Sequence, residues 1–132
     1  MTLFQINQIY QSLLKIVNNI FSLNESYDIF LLMKKIENDI EFFQQKETQL
    51  IEKYAVEIKS NGELVFSGED IKKAFFLEYN QLKQMPVKEK YEKISLKLSS
   101  LQKCNLTPLD FFNLEKVIDF IEEKALIDEK EE

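Results

Sequence analysis

Between Leu3 and Phe21 apolar residues recur at Ile6, Ile9, Leu13, Val17 and Ile20, and Leu3, Tyr10, Leu14 and Ile16 widen the stripe. Steps of three and four are those of a helix packed on one side. The opposite face carries Gln5, Gln8, Gln11, Ser12, Asn18 and Asn19, with Lys15 as its sole charge. Such a face is either a contact surface for another chain, with Gln8 and Gln11 as candidates, or a partly covered polar surface. A second stripe, Ile36, Ile40, Phe43, Glu47, Leu50, Tyr54, predicts one long helix from about residue 25 to 58. At ~1.5 Å per residue it would run roughly 50 Å, against a radius of gyration near ~14 Å for a compact domain of this length. It must project, bend, or be flanked end to end by other helices. Glu47 interrupts the seam; it either pairs across an interface or meets solvent, and solvent is the expectation. Phe42 and Phe76 lie off the main stripes and are candidate contact residues.

Helix starts are marked by reciprocal capping, in which a Ser or Thr is followed three residues later by Gln, Glu or Asp. Four pairs fit: Thr2 with Gln5, Ser22 with Glu25, Ser67 with Asp70, and Thr107 with Asp110, the last with Pro108 at the first helical position. The third helix spans about 68–84 and stops before Pro86; the fourth spans 108 to about 124. Before the third, Asn61-Gly62 predicts a turn and Leu64-Val65-Phe66 a short strand. In 88–98 a strand reading (Ile94, Leu96, Leu98) competes with a helical one (Tyr91, Ile94, Leu98, Leu101). A strand over 90–97, paired with 64–66, is chosen. The predicted fold is mainly α: four helices, including the long one at 25–58, with a minor two-stranded β element. Residues 1–121 form a single domain, and 122–132 an acidic tail or frayed helix end.

Composition narrows the chemistry. The 132 residues are 45% hydrophobic and 30% charged, as in a globular chain. His is absent and all 17 basic residues are lysines, which removes the usual general base, the commonest zinc ligand and the bidentate phosphate clamp. A net charge of −6 argues against direct nucleic-acid binding. Cys104 is the only cysteine and is read as an inert thiol in a reducing compartment. The N-terminal stretch has neither the cationic start of a signal peptide nor the unbroken apolar run of a membrane span, so a cytoplasmic protein is expected.

The glycines Gly62 and Gly68 fall in NGELVFSGED, which invites comparison with calcium and phosphate loops. A calcium loop with Gly62 at its sixth position would place Lys59 third and Gly68 twelfth, where a bidentate acid belongs. A P-loop needs Lys-Ser/Thr after its last glycine, and here Glu69 and Asp70 follow. The stretch is expected to be scaffold. Glu37 and Glu41 share a helix face, yet Lys34 and Lys35 stand beside them, so no magnesium site is assigned.

The succession KKIENDIEFFQQKETQLIEKYA, NGELVF, KISLKLSSL and LTPLDFFNLEKVIDFI resembles small uncharacterised helical proteins of bacteriophages and prophages of low-GC bacteria, over about Ser22 to Ile121. It departs from them at Ala55-Val56, where glycine more often follows the lysine-tyrosine pair. The resemblance implies a phage-type accessory or assembly factor and supplies no catalytic residue.

The expectation is a non-enzymatic interaction protein with no cofactor, metal or small-molecule substrate. Its partner is itself, as a homodimer built along the second helix near Phe42, or a phage or host protein. The alternative is an acidic inhibitor of a host nucleic-acid-binding or defence complex, using Asp119, Glu122, Glu123, Asp128, Glu129, Glu131 and Glu132 in place of phosphates.

Overall fold

The computed structural model describes residues 1–122. The fold is mainly α with minor β: α1 (Leu3–Leu14), α2 (Leu23–Tyr54), β1 (Ala55–Ile58), β2 (Leu64–Phe66), α3 (Glu69–Gln84), β3 (Ile94–Lys97), a 3-10 turn (Leu98–Leu101), α4 (Pro108–Leu114) and β4 (Ile118–Ile121). Among the described residues no helix is long and apolar enough to cross a membrane. Contacts cluster into two units, Met1–Ile6 with Asn38–Lys88, and Asn7–Glu37 with the chain from Glu89.

Three of the four expected caps form. Thr2 and Gln5 bond reciprocally at 2.9 and 3.2 Å, Ser22 and Glu25 at 3.4 and 3.2 Å, and Thr107 and Asp110 at 3.0 and 3.2 Å. Each satisfies two backbone N–H groups that the first turn leaves without helical partners. At α3 the cap is Gly68, which has no side chain to bond. Ser67 stands one residue too early to reach the first turn, and Glu69 and Asp70 meet the helix dipole instead.

In the first unit, Leu3, Phe43 and Leu82 form a core with Leu50 and Val87 against it. The chain start is tied to the segment after α3 by Leu3 N–H to Met85 O (2.8 Å) and Val87 N–H to Met1 O (2.9 Å). Phe75 gathers the aromatic side chains: Tyr79 stacks on it at 5.5 Å, and Phe66, Phe76 and Tyr54 pack at 5.1, 5.2 and 6.2 Å. The hairpin β1–β2 pairs Ala55 with Phe66, Glu57 with Val65 and Ile58 with Leu64, and Val56 is the extra residue of a bulge. Its turn places Gly62 at φ 87°, a conformation open to glycine and strained for other residues. Asn61 Oδ1 accepts from Glu63 N–H at 3.0 Å. The turn and the short strand expected of this stretch are its observed geometry.

The hairpin corrects two expectations. The long helix ends at Tyr54 rather than near 58, because Ala55–Ile58 is the nearest segment able to supply the hydrogen bonds that 64–66 needs. With 64–66 so paired, β3 takes another partner, β4, in parallel register: Ile94 with Ile118, Leu96 with Phe120. Parallel strands need a long connection, and residues 98–117, with the 3-10 turn and α4, supply it. The fourth helix therefore stops at Leu114 instead of 124, and β-branched Val117, at the end of the following turn, and Ile118, the first residue of β4, enter the core at 0% and 1% exposure.

The first helix is also shorter than expected. After Leu14 the bonds become i to i−3: Lys15 to Ser12, Ile16 to Leu13, Asn19 to Ile16. Side chains in this turn are anchored elsewhere, Lys15 on Asp110 and Asn19 Nδ2 on the Ser100 carbonyl. Ile16 stays buried, while Ile20 is 93% exposed. Buried apolar residues of the second unit include Ile9, Leu13, Ile29, Leu32, Ile36, Leu96, Leu101 and Leu114. The expected acidic end, 122–132, lies outside the described residues apart from Glu122.

Candidate interaction surface

In its N-terminal half α2 has two apolar faces. One is buried and holds Ile29, Leu32 and Ile36, with Glu25. At about 100° per residue, Leu23, Tyr27, Phe30 and Leu31 fall half a turn away, within an arc of about 100°. Their exposures are 86%, 59%, 52% and 44%. The Tyr27 and Phe30 rings lie nearly parallel, centroids 6.3 Å apart, and the Lys34 ammonium sits 5.8 Å from the Phe30 centroid.

The helix is held in place from its buried side. The Glu25 carboxylate accepts from the Lys97 backbone N–H at 3.0 Å as well as from the Ser22 N–H and hydroxyl. Burial pushes its carboxyl upward, but these hydrogen bonds outweigh it and the pKa is lowered. The carboxylate therefore stays ionised and fixes the first turn of α2 to β3, leaving the far face free of any role in that unit's core.

The five residues expected at a contact surface divide between the units. Gln8, half-buried, and Gln11, exposed, belong to the second; Phe42, Glu47 and Phe76 belong to the first. Phe42, with the Lys46 ammonium 5.7 Å over its ring, edges an open groove of about 410 Å³ lined also by Lys46, Leu50, Lys53, Leu82 and Met85. Phe76 is exposed but packs on Phe66 and Phe75. Glu47 does not simply meet solvent: its carboxylate accepts from the Tyr79 hydroxyl at 2.7 Å. Burial, then this bond to a carboxylate, pushes the Tyr79 phenol far up, so it remains a neutral donor.

The signal for Leu23, Tyr27, Phe30 and Leu31 was present in the sequence as a second set of three-and-four steps. Periodicity reveals such a set without telling which of two stripes the rest of the chain covers. Other candidate chemistry is occupied. Glu37 has Lys34 at 3.8 Å and Asp119 has Lys93 at 3.7 Å; the thiol of Cys104 is pushed up by burial. Of the acidic cluster, Glu123, Asp128, Glu129, Glu131 and Glu132 lie outside the described residues. Among the described residues no group of three or more Cys, Asp or Glu side chains could hold a metal ion. No protein-family model, curated protein or solved structure matches the chain.

Proposed function

We propose that this is a non-enzymatic protein–protein interaction protein, of the phage accessory or assembly type that the sequence resemblance implies, and that α2 carries its contact face. The supporting observation is the stripe Leu23, Tyr27, Phe30, Leu31, exposed half a turn from the stripe that α2 buries. One apolar stripe suffices to dock a helix on a core. A second, exposed one marks a binding surface. A protein partner suits it better than nucleic acid, since the net charge is −6. The single cysteine suits a cytoplasmic setting.

Affinity capture from producing cells, with partners identified, tests the reading. Wild-type chain is expected to retain a defined protein that Tyr27→Glu, with an unchanged circular dichroism spectrum, releases. Identical capture by both chains would refute α2 as the contact face.

A further inference from the structure

Leu23, Tyr27 and Leu31 are spaced four and four, so these three read the same from either end about Tyr27, while Phe30 has Asn24 as its counterpart. Ile20, in the connector just before the helix, is 93% exposed. At roughly 200 Å² for a fully exposed side chain of this size, the four helical residues present on the order of 500 Å², and on the order of 700 Å² with Ile20. The helical residues alone reach the upper part of the ~300–600 Å² that the largest apolar patch on a typical monomer covers, and Ile20 carries the sum past it. The sum approaches the ~800 Å² that each partner contributes to a stable complex.

We propose that this face binds a second copy of the chain, the two α2 helices packing antiparallel about a two-fold axis at Tyr27. The proposal rests on the interaction reading and names its partner. A two-fold contact is isologous, so residue i meets j and j meets i. With the axis at Tyr27, Leu23 of each copy meets Leu31 of the other, Tyr27 meets Tyr27, and Phe30 meets Asn24. Tyrosine suits the axis because its ring packs while its hydroxyl reaches the wet edge. A different protein would need no such symmetry in the stripe, and that spacing, with an area near what a dimer requires, selects a second copy. The contact lies in the N-terminal half of α2, away in sequence from Phe42, the off-stripe residue expected in it.

Light scattering coupled to size exclusion, on the full chain at tens of micromolar, should give about twice the 15.7 kDa chain mass. Tyr27→Glu should return it to monomer with its circular dichroism unchanged, and Phe42→Glu should leave the dimer intact. Cross-linking reads the geometry independently. In a Cys104→Ser background, Tyr27→Cys should form a disulfide-linked dimer on mild oxidation, Leu23→Cys alone should not, and Leu23→Cys mixed with Leu31→Cys should. A monomeric wild type, a dimer that survives Tyr27→Glu, or a Leu23→Cys chain that links to itself as fast as Tyr27→Cys would overturn the proposal. A monomer whose captured partner is still released by Tyr27→Glu rejects the second copy and spares the interaction reading; a monomer with unchanged capture rejects both.

Discussion

Asp110 ties the start of α4 to the end of α1. It closes the α4 capping box with Thr107, accepts from Ser12 Oγ at 2.8 Å and meets Lys15 Nζ at 2.7 Å. Asn113 Nδ2 donates in turn to Ser12 Oγ at 3.3 Å. Burial alone would raise its pKa, but the Lys15 ammonium and the Thr107 and Ser12 donors hold it well below the usual carboxylate range. Its folded-state pKa is thus depressed, so its contribution to stability is present above the unfolded value near ~3.9 and is lost as pH falls through the folded one. Asp110→Asn keeps the shape and one acceptor while losing the charge. It should lower stability by about 1–3 kcal/mol near neutral pH, with urea midpoints of variant and wild type converging below pH ~4. Caps give a second residue-level comparison. Thr107→Ala should cost about 1 kcal/mol, whereas Ser67→Ala, which removes no cap bond, should change the midpoint by no more than ~0.5 kcal/mol, the range of ordinary surface substitutions.

At the scale of elements, the hairpin turn and the start of α3 use their glycines in opposite ways. Gly62 stands at φ 87° with open space around it, so Gly62→Ala meets no clash but must hold a left-handed backbone. That should cost about 1–2 kcal/mol in chemical denaturation. Gly68 sits at φ −176°, extended backbone that any residue adopts, and caps α3 without a side chain. Gly68→Ser should therefore gain a few tenths of a kcal/mol. Calorimetric titration of the hairpin segment's proposed non-role, with calcium or with ATP and magnesium on the whole chain, should give no saturable heat. What the sequence made legible at this scale was local. Capping pairs and three-and-four steps placed the starts of α1, α2 and α4, and Asn61-Gly62 placed the turn. Strand pairing was not legible, because it depends on which segment is free to pair. Val117, Ile118 and Ile121 satisfy a helical step as well as a strand's buried run, and only the presence of β3 decides between them. Likewise Ala55–Ile58 continues the α2 pattern until 64–66 requires a partner. The exposed stripe was hidden for the same reason: both stripes of α2 are present in the sequence, but only the fold decides which is buried.

For the whole molecule, the two units share helices. Leu3–Ile6 of α1 falls in one and Asn7–Leu14 in the other, and α2 is divided between Glu37 and Asn38. The two pieces of α1 are far shorter than the ~12–15 residues below which an isolated helix is marginal in water, and most helical stability comes from packing, so loss of either unit strips the support from part of α1 and α2. Unfolding should be a single transition, with far-ultraviolet circular dichroism and the near-ultraviolet tyrosine signal giving coincident midpoints in urea; separated midpoints would show independent units. The same division bears on synthesis. Every segment of the first unit has been made once Lys88 leaves the ribosome. In the second, the strand that pairs with β3 ends at Ile121. At ~5–20 residues per second, translation of residues 89–121 takes several seconds. Throughout that interval Ile9, Leu13, Ile29 and Leu32, buried in the finished unit, have been made but β4 has not, so the second unit's core stays incomplete on the nascent chain until Ile121 has been added.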